Sequence, residues 1–231
     1  MFMTIKLLIF CSLVVMLTLF ATPGITKDTD RQVWTNMTAM GPIHDNHRSI
    51  RYWLEIQDRI GEDVSQLSQI LLRPGLGYEF SPTASAWVGY AFIHTYRPFS
   101  QQPVDENRLW QQLLWSKNYT PLKLSARSRL EERFIQRVPE TAWRYRQLVK
   151  TNIHTTLPKY DVVITEEAFI HLNNFNLQKN RGFDQNRLFI GLGYKASKNS
   201  TVEVGYLNQL IKRTRGNHYI GNYLALTLLL T

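Results

Sequence analysis

Cysteine and long apolar runs are what this chain lacks most. Its one cysteine, Cys11, lies inside an apolar stretch at residues 7–21. A chain that loses that stretch has no disulfide and no cysteine metal site. After residue 26 no apolar run approaches the ~20 residues of a membrane-spanning helix, and the longest is the short stretch 224–230. Charge is also scarce, at 19% of residues against roughly 25% in ordinary soluble domains. Acid is scarcer than base, with 18 Asp and Glu against 27 Lys and Arg, a net charge of +9. No glycine-rich phosphate loop, metal-ligand spacing or DNA-reading element is visible. The basic excess therefore points to a membrane surface or an anionic ligand rather than nucleic acid.

Aromatic residues are plentiful, with 11 Tyr, 11 Phe and 6 Trp. The N-terminus has the form of an export signal. A short segment with the single charge of Lys6 precedes the apolar run, and Thr22-Pro23-Gly24 then breaks any helix. Residues 1–26 are expected to be a signal peptide, cut somewhere from Ala21 to Thr26. The mature chain, 27–231, then carries no cysteine. Small secreted domains often rely on disulfides, so this one needs other support. A closed sheet in a bilayer supplies it, because every strand is paired and no edge is left.

The rest reads as strands. Residues alternate with period two. In 187–195 one face carries Leu188, Ile190, Leu192 and Tyr194, the other Arg187, Phe189, Gly191, Gly193 and Lys195. In 50–59 one face is Ile50, Tyr52, Leu54 and Ile56, the other Arg51, Trp53, Glu55, Gln57 and Arg59. In 122–134 Leu122, Leu124, Ala126, Leu130 and Phe134 oppose Lys123, Ser125, Arg127, Arg129, Glu131 and Arg133. Tight turn signals at 81–83, 118–121 and 197–199 alternate with longer polar connections, as periplasmic turns and outer loops do in membrane barrels. Ten strands are expected from residue 49 onward. Residues 31–41 look like one more, and the placement of 27–48 is left open, with twelve strands the other even count. The expected fold is all-β: an antiparallel up-and-down transmembrane β-barrel of about 10 strands, 12 being possible, in one domain, 27–231.

Alternation also occurs in soluble sandwiches, which point the charged face at water. A membrane barrel points it at the lumen. A hairpin closed with Phe134 opposite Thr141 places Glu131 opposite Arg144 and Arg129 opposite Arg146. Closing the next with Asn152 opposite Asp161 places Arg146 opposite Glu167. The expected lumen is thus a ladder of Arg127, Arg129, Glu131, Arg133, Arg144, Arg146, Glu167 and Arg187. It is either structural filling or a narrow path for anions.

Several segments resemble a known family. Asn107-Arg108-Leu109, the run at 127–131, Trp143-Arg144-Tyr145-Arg146, and above all residues 185–194 followed by Ser197-Lys198-Asn199 and 205–209 are similar to the bacterial family called domain of unknown function 2490. The likeness spans most of 31–231. It implies an outer-membrane barrel without an established activity, and it supplies no catalytic residue. The final Leu228-Leu229-Leu230-Thr231 departs from the aromatic ending of many outer-membrane barrels. The expected location is the bacterial outer membrane. The expected partners are outer-membrane lipid, lipopolysaccharide and the barrel-assembly machinery, with no cofactor and no metal. The other reading is an outer-membrane enzyme that modifies lipid or lipopolysaccharide, with His47-Arg48-Ser49, His94, His154 and His171 as its candidates.

Overall fold

The computed structural model describes residues 31–44, 49–61, 64–96, 99–213 and 218–231. The expected signal peptide, and His47 and Arg48, lie outside the described residues. Eleven strands follow in chain order: β1 (Arg31–Pro42), β2 (Ile50–Gly61), β3 (Gln66–Ser81), β4 (Ala84–Thr95), β5 (Val104–Tyr119), β6 (Leu122–Ile135), β7 (Ala142–His154), β8 (Tyr160–His171), β9 (Gly182–Lys195), β10 (Ser200–Ile211) and β11 (Tyr219–Leu230). The described residues contain no helix.

The strands close into one barrel in which sequence neighbours pair antiparallel and β1 closes on β11. Ten strands were expected from residue 49, and those ten are β2 to β11. Segment 31–41 adds the eleventh and completes the wall. An odd number of alternating strands leaves the first and last pointing the same way, so the closing pair is parallel, from Arg31↔Asn222 to Ala39↔Leu230. Parallel pairing is slightly weaker per residue than antiparallel, but it removes both free edges.

Connections differ at the two rims. At one rim they run to 7, 2, 2, 5 and 4 residues, and at the other to 4, 8, 6, 10 and 7. The tight ones are built by hydroxyl side chains. Ser81 Oγ accepts from the Thr83 amide at 3.3 Å, and Ser197 Oγ from the Asn199 amide at 3.1 Å.

Leu54, Leu72, Leu76, Val88, Leu113, Ile190, Leu192, Val204, Leu224 and Leu226 face outward and are exposed. Glu55, Arg73, Arg108, Arg129, Glu131, Arg146 and Glu203 face inward and are buried. This reverses the soluble pattern and is that of a barrel standing in lipid. Aromatic side chains mark the margins of the apolar band. Tyr160 and Tyr194 pack with ring centroids 5.2 Å apart toward the short-connection rim. Tyr90 and Tyr206 turn their hydroxyls to the Asn107 and Asn222 side chains on the far side of the band.

Eight strands leave an interior that ordinary side chains fill, and the width grows with strand number. Eleven strands therefore need long side chains. Beside the lumen wall of β2 to β5, Trp53, Trp87 and Trp110 pack edge to face, with Trp53 5.5 Å from Trp87 and 6.2 Å from Trp110. Their indole N–H groups donate to Glu55, Ser85 and the Tyr90 carbonyl, so none of the three indole donors is left bare. Glycine makes the space. A Cβ on Gly75 or Gly89 would stand 2.5 Å from the Trp110 ring, and on Gly89 it would also meet the Pro74 carbonyl oxygen.

Gly89→Ala is expected to cost about 1–3 kcal/mol through overpacking. The urea midpoint of the detergent-folded barrel measures it, and an unchanged midpoint would contradict the packing described for Trp110.

Candidate functional site

The functional candidate is the lumen itself. Period-two alternation turns Arg127, Arg129, Glu131 and Arg133 of β6 inward, with Arg144 and Arg146 of β7, Glu167 of β8 and Arg187 of β9. Glu131 is their centre and has no solvent exposure. Arg144 reaches its Oε2 at 2.7 and 3.0 Å, and Arg146 reaches Oε1 at 2.7 Å. Arg73 and Arg108 stand 3.6 and 3.7 Å away. One carboxylate thus faces four guanidinium groups from three strands, β3, β5 and β7.

The network spreads from there. Arg73 donates to Glu55 at 2.7 Å. Arg108 donates to Glu106 at 2.5 Å, and Arg133 grips the same carboxylate at 2.5 and 3.0 Å. Arg133 Nη1 lies 3.2 Å from His171 Nε2, which is 3.5 Å from Asp184, and Asp184 accepts from Arg144 at 3.2 Å. These groups form a ring through Glu131, Arg108, Glu106, Arg133, His171, Asp184 and Arg144. Toward the short-connection rim, Glu167 takes Arg146 at 2.8 and 3.0 Å and Arg127 at 2.6 Å. Buried charge is tolerated only when it is paired and hydrogen-bonded, and this density of paired forks meets that condition.

Two of the expected lumen arginines have no carboxylate partner among the described residues. Arg129, fully buried, donates Nε to Gln112 at 2.8 Å and lies 4.9 Å over Trp110 and 5.9 Å from Trp53. Its two terminal nitrogens are buried without a hydrogen-bond partner. Arg187 lies 4.6 Å over Phe169 and 5.0 Å over Trp34, with Nε likewise unbonded. Aromatic faces attract these cations in part.

The β6–β7 register is the expected one, with Glu131 opposite Arg144 and Arg129 opposite Arg146. The β7–β8 register differs by two residues. His154, not Asn152, faces Asp161, so Arg146 lies opposite Phe169 and Leu148 opposite Glu167. A two-residue slip keeps every side chain on its face, and Arg146 reaches Glu167 along the diagonal. The shorter, five-residue connection sets this register: Thr155 Oγ1 bonds Tyr160 and Leu157 across the turn, and His154 Nδ1 lies 2.9 Å from Asp161.

Sequence reasoning did not find Arg73, Glu106, Arg108 or Asp184. Glu106, Arg108, Trp110 and Gln112 share one parity, so extending the period-two count to β5 would have revealed them. Arg73 is masked by the inward Leu71 and by Pro74. Asp184 turns inward beside Gln185, where a register shift interrupts the β8–β9 pairing, and no fixed period shows that. Glu166 faces away from the lumen and is satisfied by the Asn186 side chain.

Of the histidine candidates, His94 bonds Asp105, His154 bonds Asp161, and His171 lies in the ion-pair ring. Their side-chain bonds go to carboxylates, to Arg133 and to the Asn180 backbone, not to a hydroxyl that could act as a nucleophile. Among the described residues no group of three or more His, Cys, Asp or Glu side chains is placed to hold a metal ion.

A family model described as a protein of unknown function (DUF2490) matches residues 31–219, and the chain belongs to that family. An uncharacterized protein of Methylorubrum extorquens is 32% identical over 204 residues, covering 86% of each chain. Among solved structures, the chain is similar to the NanC porin, at a TM-score of 0.49 and 9% identity over 87% of this chain and 98% of that one. It is also similar to LpxR from Salmonella typhimurium, at a TM-score of 0.44 and 10% identity over 80% and 83%. OmpT of Vibrio cholerae matches at 0.41 and 11% identity over 73% and 57%.

Glu131→Gln is expected to cost about 3–5 kcal/mol, because it strands buried guanidinium groups without their counter-charge. Glu79→Gln, which breaks the half-exposed pair with Arg51 at 2.9 Å, is expected to cost under about 1 kcal/mol. Denaturant titration of both variants checks the contrast, and equal losses would refute the central role of Glu131.

Proposed function

We propose that this chain is a bacterial outer-membrane barrel whose lumen is a packed ionic core rather than an open channel. The observation that carries the reading is the ring around Glu131. Arg73, Arg129, Glu131 and Trp110 are each at most 1% exposed, although a conducting lumen needs its polar side chains in water. The apolar outer face and the expected export segment support the location. On this reading the belt contacts membrane lipid and lipopolysaccharide, and the barrel-assembly machinery inserts the chain.

One observation favours a narrow anion path as the second reading. Nine inward arginines (Arg59, Arg73, Arg108, Arg127, Arg129, Arg133, Arg144, Arg146 and Arg187) meet only five carboxylates in the network (Glu55, Glu106, Glu131, Glu167 and Asp184). An excess of one sign selects the opposite ion wherever a continuous path exists.

Two measurements separate these readings. Fractionated membranes are expected to hold the protein in the outer membrane, with heat-modifiable migration on detergent gels, and recovery in the soluble periplasm would end the barrel-in-membrane reading. The purified protein is expected to give no steady conductance in planar bilayers, and steady anion-selective steps would replace the packed core by the pore.

A further inference from the structure

The ion-pair ring does not fill the whole lumen. A cavity of about 190 Å³ lies beside the closing seam. Along β6 to β10 its lining side chains Arg127, Leu148, Glu167, Phe189 and Glu203 lie on the short-connection side of the ring. Three carboxylates border the cavity, and each already holds a cation. Glu55 holds Arg73, Glu167 holds Arg127 and Arg146, and Glu203 holds Lys150 at 2.6 and 2.7 Å.

Two arginines at the same cavity are not engaged in this way. Arg59 and Arg187 stack on one ring, with their guanidinium carbons 4.0 and 5.0 Å from the Trp34 centroid. Trp34 is held by stacking on Tyr223 at 4.6 Å and by its indole bond to Gln32 at 2.8 Å. Neither arginine forms an ion pair with a described carboxylate. Arg187 faces Glu167 directly across the β8–β9 pairing, yet Arg127 and Arg146 occupy that carboxylate. Two like charges on one aromatic platform repel each other, and neither has the direct ion pair that Arg127 and Arg146 have at this cavity.

We propose that this cavity is a binding site for one small oxyanion, a phosphate or a short carboxylic acid, held between the Arg59 and Arg187 guanidinium groups over Trp34. Guanidinium forks match the two oxygens of such a group. A cavity of that volume has room for a small anion. The ring around Glu131 closes the lumen beyond it, so the ligand is held and not passed through. The proposal rests on the packed-lumen reading given above.

The test uses the detergent-purified full chain, with folding scored by heat-modifiable migration. Inorganic phosphate and succinate are titrated separately by calorimetry and by tryptophan fluorescence, with sodium chloride matching ionic strength. The wild type is expected to bind one equivalent of at least one oxyanion saturably. Tighter phosphate binding assigns a phosphate-type ligand, and tighter succinate binding a carboxylate. Arg59→Gln and Arg187→Gln are each expected to weaken binding at least about tenfold, since each removes a charge-assisted fork. They are expected to fold, because neither breaks an ion pair. Arg187→Lys, which keeps the charge and loses the fork, is expected to bind with intermediate affinity. Arg137→Gln, at the long-connection rim where Arg137 bonds Gln102, is expected to bind as wild type does. A heat-modifiable wild type with no saturable binding up to about 10 mM, or an Arg187 variant that binds equally well, would overturn the site. Steady bilayer conductance would instead overturn the packed lumen, and is read independently.

Discussion

Charge brought inside a closed sheet must be cancelled there, and in this barrel the cancellation converges on Glu131. Its two oxygens tie together β7, β3 and β5 through Arg144, Arg146, Arg73 and Arg108. Every further pair in the ring is reached through one of those arginines. Long cationic side chains suit a wide lumen because they span it, and they bring a desolvation cost that only near-complete pairing offsets. The core of this fold is therefore ionic, where a soluble domain would have an apolar one.

The pairing is not spread evenly around the wall. On the β2 to β5 side the interior adds an aromatic cluster to Glu55, Arg73, Glu106 and Arg108: Trp53, Trp87 and Trp110, the last two seated against glycine. From β6 to β9 it is arginine and carboxylate. Arg129 joins the two regions, placing its guanidinium among the indole rings and its Nε on Gln112. Phe169 does the converse, an apolar ring with Arg144, Arg146 and Arg187 within 4.5 to 5.2 Å of its centroid. What neither region fills is the cavity beside the seam where β1 meets β11.

Much of this was legible in the sequence because a strand declares its faces at every second residue. The inward sets on β2, β6 and β9, and the β6–β7 register, follow from parity and one hairpin closure. What parity cannot reach is wherever the count breaks. The inward pair Asp184 and Gln185 hides one carboxylate of the ring. The connection at 155–159 let β7 run two residues further than the simplest closure, which moved Glu167 from beside Arg146 to its diagonal. The eleventh strand was visible as alternation in 31–41, but its place in the wall was not, since a parallel closure has no turn to announce it. The cavity was illegible for a different reason. It depends on which of several arginines captures Glu167, and that is decided in three dimensions by Arg127 reaching across from β6.

The parallel seam gives the described chain a net direction. In a barrel with an even number of strands, first and last residues leave from the same rim, so tags at either end sit in one compartment. Here Arg31 and Leu230 stand at opposite rims. A label placed next to one strand end and a label placed next to the other would report on the two faces of the membrane, and a single molecule would carry its own inside and outside markers.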